Sequence, residues 1–67
     1  MEKSKVRKYL KDYGARLRKM RLAAKLTQIK VAQLVGISQA TVSHIECGFF
    51  LPSDELESAL LDIYTNK

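Results

Sequence analysis

The sequence predicts a compact all-α fold of four to five helices, and three observations support this prediction. Apolar residues recur at steps of three and four along most of the chain, which is the spacing of one helix face. Serine, threonine and glycine residues, which are typical of helix ends, separate these stretches. No stretch has the alternation of apolar and polar residues that indicates a β-strand.

The first helix is predicted from about Ser4, which is suited to cap it, to Ala24, with Asp12 as a second candidate start. Gly14 lies off the apolar stripe of this helix, so we expect it to weaken the helix without breaking it. Lysine and arginine occupy the other faces. The stripe consists of Val6, Tyr9, Leu10, Tyr13, Leu17, Met20 and Ala24.

Two short helices are predicted in the centre of the chain, over 28–35 and 39–47. A glycine follows each predicted helix. Glycine adopts the left-handed conformation that ends a helix without steric cost, so it indicates where each helix stops. The caps are Thr27 and Ser38, the terminal glycines are Gly36 and Gly48, and the inward residues are Ile29, Val31, Ala32, Val35, Val42 and Ile45.

A fourth helix is predicted after the connection 49–52, which contains Pro52 and cannot be helical throughout. Ser53 is suited to cap it, and the acidic Asp54 and Glu55 suit the positive end of its dipole. Its apolar stripe consists of Leu56, Leu60, Ile63 and Tyr64.

Length and composition predict a single small domain. The 67 residues, 46% apolar and 28% charged, fit one soluble globule with a modest core. Cys47 is the only cysteine, so an internal disulfide is excluded and a reducing compartment is favoured. Because neither a membrane-length apolar run nor a signal-peptide pattern is present, we expect a cytoplasmic protein without a membrane association.

Charge is distributed unevenly along the chain. The first 30 residues carry eleven basic and two acidic side chains, whereas the remainder carries one basic and five acidic. Such a basic half is either a solvated helix face or tail, or a binding surface for the phosphates of DNA, RNA or an anionic membrane.

The central segment 28–47 has the features that a helix-turn-helix unit needs. Ala32 is small where the two helices would cross, Gly36 makes the turn, and Val42 and Ile45 anchor the second helix. The opposite face carries uncharged or small residues that fit the major groove of DNA, where glutamine pairs with adenine. A generic helical hairpin with a solvated polar face is the alternative. This free face consists of Gln39, Ala40, Ser43 and His44.

The stretch "LTQIKVAQLVGISQATVSHIECG", followed by "LPS", resembles the central signature of the Cro/XRE-type helix-turn-helix regulators, which have a lambda-repressor-like fold. The resemblance covers roughly 14–60. It implies that Arg21 and Glu46 form a structural ion pair. It also implies DNA binding, with a phosphate contact from Gln28 and base contacts from Gln39, Ala40 and His44. Ser38, Thr41 and Ser43 would lie at or near the DNA backbone.

Three features depart from this family. Members often have glycine near Lys25, a basic loop where this chain has Phe49 and Phe50, and a fifth helix used for dimerisation. We expect one phenylalanine to complete the core and the other to be exposed, and we predict a dimer or partner contact for this pair.

An enzymatic function is not predicted. Ser43 and His44 are adjacent, and adjacent helical residues point in different directions, which is a poor geometry for a catalytic pair. No carboxylate pair, phosphate-binding glycine loop or metal-ligand cluster is recognisable, so no catalytic residue, metal or cofactor is predicted.

The sequence therefore predicts a single domain over 1–67, with a helix-turn-helix unit over about 28–47 and a basic N-terminal extension over about 1–12. The predicted function is a DNA-binding transcriptional regulator, a repressor of phage, plasmid or restriction-control type. It would bind an inverted-repeat operator as a homodimer and associate with the nucleoid when bound. The alternative is a protein-interaction module of the same fold that binds a toxin, an antirepressor or polymerase.

Overall fold

A computed structural model describes the backbone of residues 2–65 and the side chains of residues 5–65. The described residues form four α-helices and no strand, which confirms the predicted all-α class. None of these helices is long and apolar enough to cross a membrane. The helices are α1 (Glu2–Ala23), α2 (Gln28–Val35), α3 (Gln39–Glu46) and α4 (Asp54–Thr65).

The predicted starts of α2, α3 and α4 and the predicted end of α2 are confirmed. Thr27, Ser38 and Ser53 each accept a hydrogen bond from the backbone N–H three residues later, at 3.0, 3.1 and 3.2 Å. Gly36 has the left-handed conformation, with φ 77°, and its N–H donates to the carbonyl of Ala32. Each of these contacts joins residues at most four positions apart, which explains why sequence alone predicted them.

Three predicted boundaries were wrong, one of them the end of α1, which lies at Ala23 and not at Ala24. Helix α1 begins at Glu2, so the backbone of Ser4 lies inside the helix and does not precede it as a cap, and the Ser4 side chain is outside the described residues. Helix α3 ends at Glu46, and Cys47 is the residue that follows its last turn. All three errors are within the one or two residues by which frayed helix ends shift, because terminal residues have few packing contacts.

The core lies between all four helices, and Val31 and Ile45 at its centre are fully buried. The predicted inward position of Ile29 was wrong, because this side chain is 55% exposed. At 100° per residue Ile29 points about 110° away from the face that α2 turns to the core. The buried apolar residues are Leu17, Val31, Ala32, Val42, Ile45, Leu60 and Tyr64.

The first ten described residues of α1 form an arm (residues 2–11) with its apolar side uncovered. Val6 and Tyr9 belong to the predicted stripe, yet they are 55% and 59% exposed. The packed part of α1 starts near Lys11. The turn after α3 lies close to α1 at this point, because a Cβ built on Gly48 would be 2.9 Å from the Lys11 Cα. The other described helices therefore cover only part of the apolar stripe of α1.

Gly14 has a structural role that its position off the stripe did not predict. A Cβ built there would lie 2.6 Å from the carbonyl oxygen of Glu46 and would also collide with that of Ile45. Only glycine lets the backbones of α1 and α3 approach this closely. Lys25, which ends the turn after α1, has a φ of 61°, a conformation that glycine adopts more easily.

Candidate nucleic-acid interface

Helix α3 is fixed to the domain by one face and presents the other to solvent. Val42 and Ile45 are buried against the remaining helices, as predicted. On the opposite face, Gln39, Ala40 and His44 are exposed. Thr41 and Ser43 are half-buried beside this face, and exposed Ser38 begins it, with its hydroxyl 2.9 Å from that of Thr41.

A buried ion pair joins α1 to the end of α3. Arg21 donates from Nε to Glu46 Oε2 at 2.7 Å and from Nη2 to Oε1 at 3.1 Å. Its third nitrogen donates to the carbonyl of Leu26 at 2.8 Å. The two residues are only 7% and 9% exposed, and the hydrogen bonds to Glu46 raise the pKa of Arg21 further. The pair that the resemblance implies is thus a bidentate contact with every guanidinium nitrogen engaged.

The ion pair continues into a chain of side-chain amides that ends at the exposed face of α3. Gln28 Nε2 donates to Glu46 Oε1 at 3.0 Å, and Gln39 Nε2 donates to Gln28 Oε1 at 3.4 Å. A carboxylate only accepts hydrogen bonds, so Glu46 requires the amino group of Gln28. The oxygen of Gln28 then requires the amino group of Gln39, and the orientation of both amides follows from the buried carboxylate.

This orientation leaves Gln39 with useful hydrogen-bonding capacity. Its Oε1 is an acceptor, and one of its two Nε2 hydrogens is not used by Gln28. One acceptor beside one donor matches the N6 and N7 edge of adenine in the major groove. Gln28 uses one Nε2 hydrogen for Glu46 and keeps the second, at the N-terminal end of α2, where anions are favoured.

The C-terminal end of α3 adjoins a cluster of aromatic side chains. The ring of His44 lies 5.1 Å from that of Phe49 and 6.3 Å from that of Phe50, measured between centroids. The two phenylalanines are 66% and 43% exposed, so the expectation that one of them completes the core was wrong. Val42 and Ile45 already fill the core at α3, and the chain that follows α3 lies against the backbone of Lys11 at Gly48 before it reaches the two exposed phenylalanines.

Sequence reasoning did not single out Arg18. In the structure it lines a cleft of about 330 Å³ together with Arg21, Gln28, Glu46 and Cys47. Its position three residues before Arg21 was the available signal, because residues three apart lie on the same side of a helix. Among the described residues, no group of three or more His, Cys, Asp or Glu side chains could hold a metal ion.

A family model described as helix-turn-helix domain matches residues 12–65, which is most of the chain. The match includes all of α2, α3 and α4 and the packed part of α1, and it begins after the arm. It is consistent with the resemblance to Cro/XRE-type regulators. No curated protein and no solved structure matches the chain. With its four helices, exposed α3 face and family match, the chain belongs to the helix-turn-helix domain family, a family of DNA-binding regulators that are typically not enzymes.

Proposed function

We propose that this protein is a sequence-specific regulator that binds double-stranded DNA, and that it is a repressor of phage, plasmid or restriction-control type. The observation that carries this proposal is the amide chain from Glu46 through Gln28 to Gln39. It holds a base-reading group in position before DNA arrives, so little side-chain entropy is lost on binding.

Each exposed residue of α3 has a role in this proposal. Gln39 reads adenine, Ala40 contacts a thymine methyl group, and His44 reads a further base or a phosphate, because it lies more than one turn along the helix. The hydroxyls of Ser38, Thr41 and Ser43 and the amide of Gln28 contact the DNA backbone and set the register.

The active form in this proposal is a homodimer on an inverted repeat. One short helix reads only a few base pairs, and a two-fold axis places a second α3 about 34 Å away, one turn along the same side of the duplex. Phe49 and Phe50 support this view, because they are exposed and adjoin α3. They are the proposed dimer contact.

The same aromatic pair supports a second function, which is binding of a protein partner such as a toxin, an antirepressor or polymerase. Two adjacent exposed phenylalanines form an apolar patch, and aromatic residues are enriched at protein interfaces. The rest of the α3 face favours DNA, since it is polar and rich in hydrogen-bonding groups.

Selection from a random duplex library tests the proposal, followed by fluorescence anisotropy of the selected site over a salt series. We expect an inverted repeat and, with about five phosphate contacts, a slope of log K against log salt of about −4 to −5 per monomer. Failure to enrich any sequence, together with binding that does not depend on salt, would favour the protein-partner function. Sedimentation on the selected site tests the dimer, which a strictly one-to-one complex would contradict.

A further inference from the structure

The exposed cations of α1 are not spread evenly around the helix. Arg7, Lys11 and Arg18 are spaced by four and seven residues, and at 100° per residue Arg7 and Lys11 each lie within about 20° of Arg18. All three are exposed. We call them the basic ridge. Lys5 and Arg16 are also exposed but lie about 120° or more from every member of the basic ridge.

The basic ridge starts at the proposed DNA interface and runs outward into the arm. Arg18 lines the same cleft as Gln28 and Cys47. Lys11 is one of the positions where the turn after α3 touches α1, because a Cβ on Gly48 would lie 2.9 Å from its backbone nitrogen. Arg7 is one turn farther out. The ridge is therefore on the side of α1 that adjoins the end of α3.

No described acidic residue neutralises the basic ridge through an ion pair. Glu46, which lines the same cleft as Arg18, is engaged by Arg21 at 2.7 Å. Asp12 lies 3.7 Å from Lys8, on a different side of the helix. The charges of the ridge cations are therefore not neutralised by ion pairs, and they lie beside the surface that we propose to bind DNA.

We propose that the basic ridge contacts DNA phosphates that flank the half-site read by α3; this inference rests on the proposed function. Arg7 and Arg18 are eleven residues apart, which is about 16 Å along the helix. Each DNA strand carries one phosphate per about 3.4 Å of its axis, so a row of this length reaches phosphates beyond those next to α2 and α3. The arm thus lengthens the contacted duplex without reading its sequence.

Two matched double variants test this proposal. R7Q/K11Q removes two charges from the ridge, and K5Q/R16Q removes two from the opposite side of the same helix. All four positions are exposed, and glutamine has a helix propensity close to that of lysine and arginine, so both variants should melt like the wild type.

We expect R7Q/K11Q to make the slope of log K against log salt shallower by about 2 per monomer, on selected and random duplexes alike. K5Q/R16Q should change this slope by less than half as much. Hydroxyl-radical footprinting of the selected site should show that R7Q/K11Q loses protection at the flanks and keeps it in the half-sites.

Equal slopes and footprints for the two variants would overturn the ridge proposal and leave the proposed function intact. An R7Q/K11Q variant that binds DNA normally but self-associates less would also overturn it, because the ridge would then bind the acidic α4 of a second copy. If the wild type binds no duplex at all, the proposed function fails and the ridge proposal fails with it.

Discussion

The two halves of α1 are similar in sequence and opposite in environment. Both the arm (residues 2–11) and the packed half (residues 12–23) carry the same apolar stripe among lysines and arginines. In the packed half, Leu17 and Arg21 are buried and Gly14 lies against the backbone of α3. In the arm, Val6 and Tyr9 are more than half exposed.

This difference shows that periodicity predicts a helix but does not predict what covers it. The stripe continues at the same spacing through both halves, yet only the second half meets the other helices. The family match also begins at residue 12. We therefore expect substitutions at buried positions of the packed half to act on stability and substitutions in the arm to leave stability unchanged.

The largest effect should come from Arg21→Ala in the packed half. It leaves Glu46 buried without its partner, and breaking a buried ion pair typically costs about 3–5 kcal/mol. Urea unfolding measures the loss, with the exposed Arg16→Ala as the control that should unfold like the wild type. A normally stable Arg21→Ala that binds DNA weakly would show that Arg21 is a phosphate contact.

High pH should destabilise the protein through two tyrosines, Tyr13 in the packed half and Tyr64 in α4. Burial raises the pKa of Tyr64 to about 12, and burial with a hydrogen bond to Glu57 raises the pKa of Tyr13 above its usual value. The unfolded chain releases these protons from about pH 10, whereas the folded chain retains them. Stability is therefore complete below about pH 10 and decreases as the pH rises from 10 toward 12.

For Tyr64 the decrease between pH 9 and pH 11 should be about 1–1.5 kcal/mol, about half of the loss that is complete only above pH 12. Urea unfolding at pH 9 and at pH 11 measures it, and Tyr64→Phe should make the decrease smaller because phenylalanine does not ionise. If Tyr64→Phe has the same pH dependence as the wild type, another group causes the alkaline loss.

Gly14→Ala should cost about 1–3 kcal/mol, even though alanine normally favours a helix. The added Cβ would meet backbone atoms of Ile45 and Glu46, which cannot rotate away as a side chain would. Thermal unfolding measures the loss. Ala15→Gly, at the exposed neighbouring position, is the control for helix propensity alone and should cost about 1 kcal/mol. A more stable Gly14→Ala would contradict the close approach of α1 and α3.

The smallest effect should come from the arm itself. Val6→Ser and Tyr9→Ser should change the free energy of unfolding by no more than about 0.5 kcal/mol, because both side chains are already exposed to water. Leu17→Ala, on the same stripe in the packed half, should cost about 2–5 kcal/mol. Arm variants as damaging as Leu17→Ala would show that another surface covers the arm in solution.

Most of the fold follows from interactions close in sequence, which is why it was predictable. The caps at Thr27, Ser38 and Ser53 and the turn at Gly36 each depend on residues within four positions. Apart from the helix boundaries and the face of Ile29, the errors are long-range ones. The requirement for glycine at position 14 comes from α3, more than thirty residues later. The exposure of Val6, Tyr9, Phe49 and Phe50 depends on how much surface the other helices provide.

The candidate site was predictable in its residues but not in its connections. The resemblance to Cro/XRE-type regulators paired Arg21 with Glu46 and named the exposed residues of α3. The bonds of Gln28 to Glu46 and Gln39 join residues 18 and 11 positions apart, and no local pattern indicates them. These bonds determine which amide atoms of Gln28 and Gln39 remain available to a ligand.

The most direct test of base reading by α3 is the effect of Gln39→Ala on the sequence preference of binding. Affinity for the selected operator should fall by about 1–3 kcal/mol, and the preference for an A·T pair should relax at one symmetric position in each half-site. Affinity for random duplexes and thermal stability should change little. Gln33→Ala, which removes an exposed amide from α2 outside the hydrogen-bond chain, should have no effect. An equal loss of affinity by Gln39→Ala for every sequence would contradict the account, because Gln39 would then contact the DNA backbone.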